Sequence, residues 1–205
     1  MKYKILLATT NPSKVWSFKE LLGDEFIYYT LKDLNIFDDV SETGETPLEN
    51  AIIKAKFYSK FFDLVICCDQ GLFFDNMPIN DKRQPKTYIR RVNGKVLNDD
   101  ELLNHYANIA KEFGGEILSY YIDGYAIAIR GKIFSYCDIE LCKKTGFLLI
   151  DKPSPKRHKG WPLDSISIDP YTRIYLVNGG SNINSINEKK KITRENLLKI
   201  IHDNL

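Results

Sequence analysis

Apolar and polar positions switch between two periods along the chain, and the switches mark its elements. Residues 3–8 alternate weakly and then run apolar, which predicts a buried first strand. Thr9-Thr10-Asn11-Pro12-Ser13 follows as a loop with a helix start, since Asn caps well and Pro is tolerated in the first turn. Val15, Phe18 and Leu22 then recur at helical spacing, and Gly23 ends the helix. Thr46-Pro47-Leu48-Glu49 is a capping box, and Leu48, Ala51, Ile52, Ala55 and Tyr58 give the next helix one apolar face. Leu64-Val65-Ile66-Cys67-Cys68 is a continuous apolar run, the mark of a strand covered on both faces. Asp69-Gln70-Gly71 is expected to break that strand and Leu72-Phe73-Phe74 to resume it.

A polar stretch with Pro78, Asp81, Lys82, Arg83 and Pro85 predicts an exposed loop. Residues 99–113 predict a third helix, with Leu102, Leu103, Tyr106, Ile109 and Phe113 inward and Gly114-Gly115 as its stop. Runs at 117–122, 125–130 and 132–141 are rich in Ile, Tyr and Phe, and with Gly124 and Gly131 as turns they predict an antiparallel meander. A basic, proline-containing loop spans 151–160, short strands are expected near 166–168 and 173–177, and a helix at 193–205 closes the chain. The order predicts an α/β fold: an elongated mixed sheet with flanking helices and two lobes around a central cleft, residues 1–205 forming a single domain of two lobes.

Composition narrows the partners. The 205 residues are 43% hydrophobic and 27% charged, an ordinary globular profile that excludes wholesale disorder and coiled coil. Net charge is +2, from 29 basic and 27 acidic residues, too balanced for nucleic acid or an anionic membrane as main partner. The opening reads as a strand rather than a signal peptide, no stretch reaches the length of a membrane span, and a cytoplasmic location is expected. Cys67, Cys68, Cys137 and Cys142 form no C-x-x-C pair, so reduced cysteines are expected and a structural zinc site is not. The run Lys189-Lys190-Lys191 reads as a solvated turn before the last helix.

Several chemistries are absent from the sequence: it has no phosphate-binding P-loop, no dinucleotide fingerprint, no nucleophile elbow, and its three histidines lack metal-ligand spacing. Three polar places remain at predicted strand ends, where α/β folds bind ligands. Residues 9–14 feed a helix N-terminus, and Lys14 adds charge suited to an anion. Glu42 has no local structural task, while Glu49 is explained by the capping box. Asp69 stands directly after five apolar residues. A phosphate-side site plus one or two carboxylates fits magnesium, which binds through few carboxylates together with substrate phosphates.

At these residues the chain resembles the inosine triphosphate pyrophosphatase family. Thr9-Thr10-Asn11-Pro12-Ser13-Lys14 is similar to its T-x-N-x-x-K, Glu42-Thr43-Gly44-Glu45-Thr46-Pro47-Leu48-Glu49-Asn50-Ala51 to its E-T-G-x-T-x-x-E-N-A, Cys68-Asp69-Gln70-Gly71-Leu72 to its D-D-[ST]-G-L, and Arg91-Val92-Asn93-Gly94 to its R-[YF]-x-G. The second half departs. Gly160-Trp161-Pro162-Leu163-Asp164-Ser165 stands where the family has G-F-G-[YW]-D-P, and Glu188-Lys189-Lys190-Lys191-Ile192-Thr193-Arg194 follows E-K-N-A-x-S-H-R without its histidine. Cys68 removes one carboxylate, and a neutral thiol does not replace it towards hard Mg²⁺.

The resemblance implies a Mg²⁺-dependent hydrolysis of non-standard purine nucleoside triphosphates to monophosphate and pyrophosphate, by a homodimer. It implies Asp69 as catalytic and metal carboxylate and Glu42 as second metal ligand. It implies substrate contacts from Thr10, Asn11, Lys14, Lys54, Gly71, Arg91, Trp161, Asp164, Lys189, Thr193 and Arg194. The departures leave two alternatives open: a nucleotide-binding homologue without turnover, and a pyrophosphatase of altered base specificity.

Overall fold

The computed structural model describes residues 2–205. It is an α/β fold built on an open mixed sheet with flanking helices, and the chain divides into two compact units. The first comprises Met1–Gln70, Asp123–Asp138 and Glu188–Leu205, and the second Gly71–Ile122 and Ile139–Asn187.

In the first unit, β1 (Tyr3–Leu7) lies parallel to both β2 (Phe26–Thr30) and the start of β3 (Leu64–Phe74). Helices α1 (Pro12–Leu22) and α2 (Pro47–Tyr58) connect them. The helix starts follow the predicted capping. Asn11 Oδ1 accepts from Ser13 N, and Thr46 and Glu49 form the reciprocal capping box.

The strands read as buried on both faces, and the period of two sorts their side chains. Ile5 and Leu7 of β1 and Leu64 and Ile66 of β3 pack with Phe18 and Leu22 of α1 and Leu197 and Ile201 of the last helix. Leu6, Ala8, Val65 and Cys67 face the other way, onto Ala51, Ala55 and Tyr58 of α2. Each fully buried Leu or Ile here contributes roughly 1.5–3 kcal/mol.

The second unit is built on the end of β3, a small hairpin of β4 (Arg91–Val92) and β5 (Lys95–Val96), and α3 (Asp99–Glu112). The start of β6 (Glu116–Ile129) follows. After β7 (Lys132–Tyr136) and α4 (Ile139–Lys143), β8 (Phe147–Ile150) and β9 (Ser167–Ile168) extend the sheet antiparallel to β6. Leu102, Leu103, Tyr106, Ile109 and Ala110 of α3 close this unit's core on Phe147 and Leu149. Phe113, expected inward, is 41% exposed and lies under the Arg83 guanidinium.

Several further expectations are corrected. β3 runs unbroken through Asp69-Gln70-Gly71, because both polar side chains find partners beside the strand. β6 likewise runs through Gly124, which is no turn: a Cβ there would sit 2.4 Å from Leu48 N and 2.5 Å from Leu48 Cα, so the glycine admits the first turn of α2. Only Gly131 turns the meander, joining β6 to β7 in a hairpin, and residues 139–143 are helix. The expected strand near 173–177 is reduced to a single bridge, Ile168 to Tyr175, followed by a 3-10 turn at Leu176–Asn178. Finally, α5 spans Ile183–Asn204, so the lysine run 189–191 lies inside a helix whose apolar spacing is interrupted by the polar stretch 187–191.

Candidate active site

The pleat of β3 presents two polar side chains on opposite faces. Asp69 shares the α2 face with Val65 and Cys67, while Gln70 shares the α1 and α5 face with Ile66 and Cys68.

On the α2 face, Asp69 is buried at 7% exposure. Asn50 Nδ2 donates to its Oδ2 at 3.1 Å, and Lys54 Nζ donates to its Oδ1 at 3.2 Å. Asn50 and Lys54 stand four residues apart on α2 and so project from one helix face. The same ammonium lies 2.5 Å from Glu42 Oε1, so two carboxylates converge on one cation. Burial pushes the Lys54 ammonium towards neutrality, but Asp69 and Glu42 outweigh it and hold its pKa above the ordinary lysine value.

The loop carrying Glu42 is tied down by the same asparagine. Gly44 N donates to Asn50 Oδ1 at 2.8 Å. A Cβ at Gly44 would lie 2.6 Å from Glu49 Cβ and 2.9 Å from Asn50 N, so the glycine is required for this approach. Thus Asn50 links the Glu42 loop through one end of its amide and Asp69 through the other.

On the α1 and α5 face, Gln70 Nε2 donates to Asp123 Oδ1 at 2.7 Å. Lys189 Nζ of α5 lies 2.7 Å from Asp123 Oδ2, and the two side chains are only 16% and 13% exposed. Lys14, in the first turn of α1, donates to Cys68 O at 3.2 Å and stands 3.7 Å from Asp69 Oδ1. The Cys68 thiol is pushed up to about 12, by burial first and by Asp123 next, and is neutral at ordinary pH.

The remaining expected residues fall in different places. Thr10 and Asn11 are exposed between β1 and α1, and the Asn11 amide caps the helix. Thr193 is buried in α5, and Arg194 lies 3.4 Å from Glu25, five residues beyond Lys189 and therefore on another side of that helix. Thr193, four residues after Lys189, lies on nearly the same side of α5 as that lysine. In the second unit, Gly71 is buried in β3, Arg91 is exposed on β4, and Trp161 is 42% exposed ahead of a 3-10 turn, Pro162–Ser165. Asp164 in that turn lies 2.8 Å from His158 Nδ1, and burial raises its carboxyl above the ordinary value despite the histidine. His158, Arg157, Lys159, Pro162, Asp99 and Asp100 line a cavity of about 340 Å³.

Asn50 and Gln70 stand inside the quoted motifs with no role assigned by the sequence, and Asp123 lies outside every motif. The signal for Asp123 was present, as a lone carboxylate inside the apolar run of β6, but beside Gly124 it read as a turn.

Among the described residues no three His, Cys, Asp or Glu side chains converge as a metal cage. The Glu42 and Asp69 pair nevertheless fits magnesium: both are hard oxygen donors, both face one cation already, and magnesium completes its shell with water and substrate phosphate.

Residues 5–118 match the model of the Ham1 family, more than half of the chain. The chain belongs to the Ham1 family. The match covers the elements that carry Lys14, Glu42, Lys54 and Asp69. This Ham1-family chain is 39% identical over 94 residues to the dITP/XTP pyrophosphatase of Thermoanaerobacter sp. (strain X514), covering 45% of this chain and 46% of that protein. It is 34% identical over 113 residues to the dITP/XTP pyrophosphatase of Bacillus subtilis (strain 168), covering 52% and 55%. The chain thus spans about half the length of the curated relatives it matches. The fold extends further: the Ham1 protein of Staphylococcus aureus superposes with a TM-score of 0.65 at 20% identity, covering 94% of this chain and 99% of that one. A HAM1 protein from Coxiella burnetii gives 0.68 at 18% identity, covering 98% and 99%.

Proposed function

We propose that this Ham1-family chain is a nucleoside triphosphate pyrophosphatase that hydrolyses non-standard purine nucleoside triphosphates to monophosphate and pyrophosphate, with Mg²⁺ as cofactor. The observation that carries the reading is Asp69: a buried carboxylate at 7% exposure, fixed by Asn50 and Lys54, with Glu42 on the same ammonium. The names of the matched relatives supply the substrate class.

Water attacks the α-phosphorus, Asp69 orients it and accepts its proton, and the bond to the bridging oxygen breaks to release pyrophosphate. Lys14, Lys54 and Lys189 hold phosphates and offset the charge that develops on the leaving group, with Thr10 and Asn11 beside the N-terminus of α1. Glu42 and Asp69 would hold Mg²⁺, which would neutralise phosphate charge. For the base, the proposal rests on chemistry alone: Trp161 offers a partly exposed ring for stacking and Asp164 a carboxyl for an edge contact. The altered segment around Pro162 and Leu163 favours a shifted base preference within the same reaction. A homodimer belongs to this reading through the family resemblance.

Turnover in ¹⁸O-water tests the chemistry. Label is expected in the nucleoside monophosphate and not in pyrophosphate. Label in inorganic phosphate, with diphosphate as the other product, contradicts the assigned position of attack.

A further inference from the structure

Asp123 lies on the strand next to β3 and shares no motif with the residues discussed above. By the period of two it faces the same side of the sheet as Tyr125, Ile127 and Ile129, the side to which Cys68 and Gln70 of β3 also point. The contact is direct: Gln70 Nε2 is 2.7 Å from its Oδ1 and Lys189 Nζ is 2.7 Å from its Oδ2. Both of its oxygens are therefore spoken for, one by a side chain of β3 and one by α5.

A nearly buried ion pair of this kind is a poor source of stability, because two charges lose most of their hydration. Its effect is to fix geometry. The Lys189 ammonium sits on a flexible four-carbon stem, and the ion pair with Asp123 ties it beside β3. Cys68 occupies the position where the resemblance has a carboxylate, two residues from Gln70 on the same face.

We propose that Asp123 is a positioning residue that holds Lys189 for phosphate binding, and that it supplies from β6 the carboxylate that position 68 of β3 lacks. The inference rests on the phosphate-binding reading of Lys189. In this reading the carboxylate stands on β6 instead of β3, beside Gln70 and paired with Lys189 of α5.

The test moves the carboxylate back. Binding of inorganic tripolyphosphate is measured by calorimetry with Mg²⁺ for the wild type, Asp123→Asn, Cys68→Asp/Asp123→Asn and Lys189→Met, with thermal melts of each. Asp123→Asn is expected to weaken binding roughly tenfold, the scale of a hydrogen bond to a charged group. Lys189→Met should weaken it as much, and the double variant should return to within about threefold of wild type. If Asp123→Asn does not fold, the double variant alone carries the comparison with Lys189→Met. A folded Asp123→Asn that binds as wild type overturns the proposal, as does a folded double variant no better than Lys189→Met. Pyrophosphate release by the wild type is scored separately. A protein that releases none, yet loses tripolyphosphate on Asp123→Asn and regains it in the double variant, keeps this inference and overturns the enzymatic one. Release with unchanged binding in folded Asp123→Asn does the reverse.

Discussion

Single side chains of this protein do their work through partners that lie far away in the sequence. Asp69 is held by Asn50 and Lys54, and Lys54 in turn by Glu42. Removing Lys54 leaves two carboxylates facing each other without their cation, so Lys54→Met is expected to lower kcat/KM by about two orders of magnitude and to lower the melting temperature. Initial rates against substrate concentration, with a melt, check both parts. The Cys68 thiol, pushed up to about 12, should react with iodoacetamide at pH 8 far more slowly than a free cysteine, and mass spectrometry of timed aliquots reads this. His105 gives a pH prediction. Burial lowers its pKa below the ordinary 6.5, only partly offset by Glu112. The unfolded chain then binds more protons than the folded one as pH falls below 6.5, so this contribution to stability is present above that value and lost below it. Melting temperatures between pH 7.5 and 5 should fall with pH, and His105→Gln should flatten part of that fall.

At the scale of elements, two close approaches determine where α2 and its preceding loop sit. Gly124 lets the backbone of Leu48 reach β6, and Gly44 lets the Glu42 loop reach Asn50. Gly124→Ala is expected to cost about 1–3 kcal/mol through overpacking against backbone that cannot rotate away. Urea unfolding measures it, and a variant as stable as wild type removes the argument. The caps of α1, α2 and α3 were legible because Asn11, Thr46 with Glu49, and Asn98 with Glu101 act within one turn of sequence. The continuity of β3 and β6 was not legible. Asp69-Gln70-Gly71 and Asp123-Gly124 carry turn composition, and only tertiary partners make them strand. The early start of α5 was hidden for a related reason: the polar stretch 187–191 separates Ile183 and Ile186 from the apolar positions further on.

For the whole molecule, the family, the sheet with its flanking helices and the order of the motifs were readable, since motifs keep chain order and the strands keep their period of two. Pairing across strands is a matter of register, and no local pattern shows that Asp123 comes beside Gln70. Among the described residues no helix is long and apolar enough to cross a membrane.

The account's central claim is that Asp69 is the carboxylate of a pyrophosphate-releasing enzyme. Pyrophosphate release from inosine, xanthosine, standard purine and pyrimidine triphosphates, with and without Mg²⁺, is measured for the wild type and Asp69→Asn. The account predicts Mg²⁺-dependent release by the wild type, fastest with a non-standard purine, and a loss of about two to four orders of magnitude in Asp69→Asn. Release that persists in a folded Asp69→Asn, or none from any wild-type combination, contradicts it.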